Sequence, residues 1–337
     1  MSQPYGTAFQ VIDRTNAINI IPNVYGRIRQ MRLFAGESKT QRIVQLDRVS
    51  DVLQVLEAKE VSAEPQYLNA EARETGLITV PHFKLNSAIL PEDLSGTRAP
   101  GTINPETLAR VRLQKLTAIR QHHALTVEYM SMGALKGLVL DGAGETMIDL
   151  FTYFGITQKV IDFVLGTSTT DITGKINELK RHVETSLASG GQFGQIHVWC
   201  SPEFWDKFTS HAKVETAYSN FANNGGAKNI LRDDMRTGFV FQDVVFSEYN
   251  ASVATKAGNV KFITDGDARG FPTGVPELFK VFYAPANKFA HVNTPGRPVY
   301  TWEYRQQDDS RIDLESQSSH VPICTRPQVL IRCHSSN

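Results

Sequence analysis

Residues 37 to 86 constrain the fold more than any other part of the chain. Thr40 to Leu46 and Leu77 to Leu85 are rich in β-branched and apolar residues and read as two strands. Between them runs Glu57-Ala58-Lys59-Glu60-Val61-Ser62-Ala63-Glu64-Pro65, and more charge follows at Glu71, Arg73 and Glu74. Two strand-like arms with a charged tip predict a long β-hairpin or extended loop. A connection of about fifty residues with so little helical signal is too long for an ordinary link inside a compact domain. A lone hairpin is only marginally stable in water, so this one needs another surface to lie on. Residues 1 to 30 have the same need. Their apolar clusters, Phe9-Gln10-Val11-Ile12 and Ile18-Asn19-Ile20-Ile21, are separated by polar residues and followed by Pro22, which predicts an arm rather than a domain.

The strongest helix signal follows. Asn104-Pro105-Glu106 supplies an N-cap, a proline at the first helical position and an acid in the first turn. Leu108, Val111, Leu116, Ile119, His123, Val127, Met130 and Ala134 then form one apolar stripe of a helix ending near Gly133. Such a helix is roughly 45 Å long at ~1.5 Å per residue. Arg110, Arg112, Lys115 and Arg120 are assigned to the opposite face. The plain expectation there is a solvated surface, and the sharper one a surface facing a polyanion.

Beyond the helix, Gly137 to Leu140 and Thr146 to Phe154 flank Asp141-Gly142-Ala143-Gly144 and predict a β-hairpin. Val160 to Leu165 and Gly174 to Leu187 read as helical, and Gln195 to Cys200 as a buried strand. Ser201-Pro202-Glu203 caps another helix running to about His211. Strands are expected at Val240 to Ser247, Asn259 to Thr264 and Phe279 to Ala284. Strands and helices in this order indicate a mixed α/β domain within an α+β chain.

Composition narrows the function. The 337 residues suggest two domains or one large elongated one, and 35 basic residues balance 35 acidic ones. A dedicated nucleic-acid binder carries a basic excess, so that class is disfavoured. Cys200, Cys324 and Cys333 are odd in number and too few for a disulfide framework, and read as reduced thiols. No secretory signal is visible in residues 1 to 10, and no uninterrupted apolar run approaches the ~20 residues of a membrane span.

Catalytic and cofactor motifs are not found. The sequence has no phosphate-binding P-loop, no Gly-x-Gly-x-x-Gly after a strand, no Gly-x-Ser-x-Gly and no His-Glu-x-x-His. His122-His123 and Glu128 are poorly spaced for a metal, and one packed and one exposed histidine is the expected arrangement. His197 and Cys200 fall on opposite faces of a strand. Cys324, Cys333 and His334 lack a Cys-x-x-Cys partner. Asp265 to Gly270 begins like a calcium loop, but Pro276 stands where the required glutamate belongs, so a tight turn is expected. The expectation is a protein that is not an enzyme, with no cofactor, no metal and no membrane partner.

Four segments carry a family resemblance. They are Arg32-Leu33-Phe34 with Glu37-Ser38 and Thr40, followed by Thr79-Val80-Pro81-His82-Phe83-Lys84-Leu85-Asn86. Then come Ile196 to Tyr218, with Ser201-Pro202-Glu203-Phe204-Trp205 and Phe208, His211, Lys213 and Val214, and Ala268-Arg269-Gly270 before a hydrophobic strand. With Arg311 to His334 as a returning strand, this order resembles the major capsid proteins of tailed bacteriophages, within the lambda capsid protein E family. The resemblance runs from about residue 20 to 334.

It implies the fold of the Hong Kong 97 phage capsid protein. In those terms residues 1–30 are the N-terminal arm and 31–88 the extension loop. Residues 89–155 are the peripheral domain with spine helix 105–133, and 156–284 the axial domain. Residues 285–325 return to the peripheral domain, and 326–337 form the last axial strand. The implied function is self-assembly into hexamers and pentamers of an icosahedral shell around phage double-stranded DNA, in the virion and assembled in the host bacterial cytoplasm. Implied partners are further copies of the chain, a scaffold or protease, a portal, a decoration protein, and packaged DNA contacted without sequence specificity. Expected intersubunit contacts are Glu57, Lys59, Glu60, Glu64, Glu71, Arg73 and Glu74 in the loop and Asp141, Gly142 and Gly144 in the hairpin turn. The competing readings are an encapsulin-like compartment shell and a cytosolic α/β enzyme with an insertion at 37 to 86.

Overall fold

The apolar stripe forms the helix Leu108–Lys136, 29 residues long, with Val111, Leu116, Ile119, Met130 and Ala134 buried. The computed structural model describes residues 12–20, 26–49, 73–94, 107–187, 193–221, 236, 238–256 and 258–336. Asn104 to Glu106 lie outside that set. The helix ends a turn later than expected, at Lys136, with Gly137 at φ 84°. Gly133 serves another purpose: a Cβ there would sit 2.8 Å from the Leu138 carbonyl oxygen, so it admits the next strand rather than stopping the helix.

The chain divides into two units. The first comprises residues 1–44, 77–131 and 280–323. Its sheet runs in the order Ile12–Asp13, Tyr300–Arg305, Ile312–Cys324, Phe279–Tyr283 and Ala35–Ser38, and His82–Ile89 also pairs with Ile312–Cys324. The strand Ile312–Cys324 is flanked on both sides, with Ile312 opposite both Arg305 and Ile89. The helix packs on this sheet through a core of Ile18, Ile89, Val111, Leu116, Ile119, Val299 and Leu314. The arm joins this unit. Ile12–Asp13 pairs with Trp302 and Glu303, and the short helix Thr15–Ile20 buries Ile18 completely. The expected run Leu77 to Leu85 is broken at Pro81 into the strands Arg73–Thr79 and His82–Ile89, because proline has no N–H to donate to a ladder.

The second unit comprises residues 45–76, 132–279 and 324–337. Its mixed sheet has the order Phe239–Phe241, Val244–Glu248, Ile196–Cys200, Asp267–Pro272, Ile331–His334 and Lys159–Asp162. Ile196–Cys200 is central and buries Val198, Trp199 and Cys200. Ser201 Oγ accepts the Phe204 N–H at 3.3 Å and starts the helix Pro202–Thr209. Phe208 of that helix stacks on Phe246 with ring centroids 4.3 Å apart. The helix Ile172–Ser186 buries Ile172, Ile176, Leu179 and Val183, the three-and-four spacing of one face. The three cysteines are free and buried.

Two expectations fail here for identifiable reasons. Val160 to Leu165 is not helical. Lys159–Asp162 is an edge strand, parallel to Ile331–His334, and its pairing partner lies about 170 residues away, beyond any local pattern. Val240 to Ser247 is two strands joined at Gln242 and Asp243, both at positive φ, the geometry of a tight hairpin turn. The turn at Asp265-Gly266 is present, with Gly266 at φ 76° and an ion pair from Lys261 to Asp265 at 2.7 Å. Among the described residues no helix is long and apolar enough to cross a membrane, and no three metal-binding side chains cluster.

Candidate assembly surfaces

The four basic residues of the long helix do not share one solvated face. Positions 110, 112, 115 and 120 fan around a helix that turns about 100° per residue. Arg112 Nη2 lies 2.8 Å from Glu303 Oε1, and Arg14 Nε lies 3.0 Å from Glu303 Oε2. Glu303 is 5% exposed, so one buried carboxylate ties the helix, the arm and the strand Tyr300–Arg305 together. Lys115 Nζ reaches Asp93 at 3.6 Å. Arg120 is 6% exposed, and its Nη1 donates to Asn19 Oδ1 at 3.2 Å. Arg110 is partly buried. The expected basic face is therefore corrected: Arg112, Lys115 and Arg120 are engaged within their own subunit.

His123 is buried and His122 exposed. Ser316 Oγ donates to the Leu85 carbonyl at 2.6 Å, so its remaining capacity is as an acceptor, and His123 Nε2 donates to it at 3.0 Å. Ser318 Oγ then donates to His123 Nδ1 at 2.8 Å. This fixes the neutral tautomer. Burial, with Arg120 and His122 adding repulsion, pushes the His123 pKa down to about 4. His320 is wholly buried, and burial lowers it to about 3, helped by nearby His123. Glu128, the spacing-poor metal candidate, accepts the Ile28 N–H at 2.8 Å.

The hairpin Leu138–Leu140 with Thr146–Asp149 belongs to the second unit. Asp141 Oδ1 accepts from Ala143 N at 2.8 Å and Glu145 N at 2.9 Å, which rigidifies the turn. Gly142 and Gly144 are exposed, and a Cβ at either meets nothing within 4 Å. Leu138 and Met147 are each 38% exposed at its base. Asp149 ends the second strand sooner than expected and caps the helix Leu150–Tyr153, accepting from Phe151 N and Thr152 N. Of the loop residues, Glu57, Lys59, Glu60, Glu64 and Glu71 lie outside the described residues. Arg73 and Glu74 begin the strand Arg73–Thr79, which pairs with Ile43–Val49, and their side chains are not described.

A family model described as phage major capsid protein E matches residues 14–335. The chain belongs to this family. It is 32% identical over 340 residues to the major capsid protein of Pseudomonas phage KPP10, covering 96% of each chain. It is 31% identical over 352 residues to that of Salmonella phage Felix O1, covering 96% of this chain and 95% of the other. Among solved structures, the mature capsid of bacteriophage PhiM1 superposes with TM-score 0.50 at 14% identity, covering 90% of this chain and 85% of that one. The fold is that of the Hong Kong 97-like phage capsids, and the chain is a shell-forming capsid protein. Neither the compartment-shell nor the enzyme reading is favoured by these relatives.

Sequence reasoning missed Glu303, Arg14 and Asn19 as anchors of the helix. Each is an isolated polar residue far from its partner in sequence. The one available signal was the 3.6-residue period, which already places Arg120 beside the stripe residue Leu116, four positions back.

Proposed function

We propose that this capsid chain self-assembles into hexamers and pentamers that close an icosahedral shell around phage double-stranded DNA. The family match across residues 14–335 is the observation that carries the reading. Residues 37 to 86 extend from one subunit across a neighbour, and their charged positions, Glu57 to Glu74, pair between subunits. In this reading residues 89–155 and 285–325 make up the peripheral domain with its spine helix, and residues 156–284 and 326–337 the axial domain. A scaffold or protease, a portal and a decoration protein complete the assembly in the host bacterial cytoplasm. DNA is contacted through phosphates alone, weakly and over many copies, since the chain carries no excess charge.

Deletion of Glu57 to Glu74 tests the intersubunit role. The shortened chain folds, with an unchanged far-ultraviolet circular dichroism spectrum, and makes no shells. Intact shells of ordinary stability from that deletion overturn the role assigned to the loop.

A further inference from the structure

A cavity of about 400 Å³ opens in the first unit beside the long helix. Ile28, Phe34, Val127 and Val281 give it apolar walls, and Arg29 and Arg32 stand among them. Both arginines are exposed, and neither makes a hydrogen bond or ion pair with a described residue. A third arginine lies beside the cavity. Arg120 comes one helical turn before the wall residue Ala124, on the same face of the helix. It is 6% exposed, its Nη1 donates to the neutral Asn19 Oδ1 at 3.2 Å, and its Nε has no partner among the described residues. No described carboxylate pairs with it. Burial lowers its pKa, and Arg29 is close enough to add to that shift.

The other polar groups leave this charge uncompensated. Glu128 is the one carboxylate among the described lining residues, and its Oε1 is committed to the Ile28 N–H at 2.8 Å. Tyr283 is also a wall residue, and it feels both Arg29 and Arg120. Its hydroxyl has no partner among the described residues, and burial raises its pKa, so at neutral pH it is a free donor. Three guanidiniums against one carboxylate leave two positive charges. A carboxylate ligand would supply one negative charge. A phosphate monoester supplies about −1.5 to −2 at pH 7, with three acceptor oxygens that suit the paired N–H groups of a guanidinium. Inorganic phosphate would leave the apolar walls facing water, whereas an apolar lining with a few convergent polar groups suits a small organic body.

We propose that this cavity binds a small organic phosphate, a monoester whose dianion meets Arg29, Arg32 and the Tyr283 hydroxyl beside Arg120 and whose apolar or aromatic body lies against Ile28, Phe34, Val127 and Val281. The residues that make the site all belong to the first unit of one chain, so binding does not depend on assembly.

Isothermal titration calorimetry of the unassembled full-length chain at pH 7.5 tests it, with phenyl phosphate as the probe and inorganic phosphate and benzoate run alongside. Phenyl phosphate saturates at one per chain and binds at least tenfold more tightly than either of the others. Arg29→Gln and Arg32→Gln, both at exposed positions, each weaken phenyl phosphate at least tenfold and leave the urea unfolding midpoint where it is in the parent. No saturable binding of phenyl phosphate overturns the site, as does equal affinity in the parent and both variants. Inorganic phosphate binding as tightly as phenyl phosphate overturns the organic ligand. Benzoate binding as tightly overturns phosphate as the charged group.

Discussion

Arg112 Nη2 sits 2.8 Å from Glu303 Oε1, across 191 positions of sequence, and this contact fastens the long helix to the sheet beneath it. Arg14 shares the same carboxylate. Removing one partner of a buried ion pair costs about 3–5 kcal/mol, because the remaining charge is stranded. Here both arginines reach solvent in part, which lowers the expected cost of Glu303→Gln to about 2 kcal/mol. Urea unfolding of the unassembled chain measures it. A change below about 0.5 kcal/mol, the size of an ordinary surface substitution, contradicts the anchoring role.

Lys115 supplies the contrast on the same helix. Its contact with Asp93 is at 3.6 Å, and both side chains are about a third exposed. Lys115→Ala changes stability by less than about 1 kcal/mol, the range of exposed pairs. Lys115→Glu assembles normally and packages DNA normally if the residue serves only its own subunit. Empty but intact shells with poor packaging from that variant return Lys115 to a genome-facing role.

The buried histidines set a pH dependence. His123 and His320 have folded pKa values near 4 and 3, both below the ordinary 6.5. The unfolded chain therefore binds more protons as pH falls below 6.5. Stability is fully present above that value and is lost as pH drops toward the folded pKa values, by up to about 1.4 kcal/mol per pH unit for each histidine. His82 is shifted in the same direction, chiefly by burial. Urea unfolding between pH 7.5 and 5 reads this slope before most carboxylates titrate. His123→Gln reduces the slope; an identical slope in that variant removes His123 from the account.

Gly142 tests the hairpin. Its Cβ position is open, so Gly142→Trp leaves the fold intact, within about 0.5 kcal/mol of the parent. If the turn meets a neighbouring capsomer, the variant forms capsomers that fail to close, as electron microscopy would show. Normal closed shells remove the turn from the contact surface.

Much of the fold is legible in local sequence. The stripe from Leu108 to Ala134, the cap at Ser201, the buried Ile196–Cys200 strand and the turn after Asp141 all depend on neighbours within a few residues, where propensity and spacing act. The misreadings share the opposite cause. Val160 to Leu165 is a short apolar run, which fits helix or strand equally, and the distant strand Ile331–His334 decides it. Gly133 looks like a helix stop until Leu138 is seen to pack against it. Arg112 and Arg120 read as solvated because Glu303 and Asn19, their partners, are visible only in three dimensions.

The central claim is shell formation, and electron microscopy of the purified full-length chain, with sedimentation velocity on the same sample, tests it most directly. The account predicts closed, megadalton particles built from rings of six and five subunits. A chain that stays folded but sediments only as a monomer or dimer, across the salt and concentration range that supports capsid assembly, contradicts it.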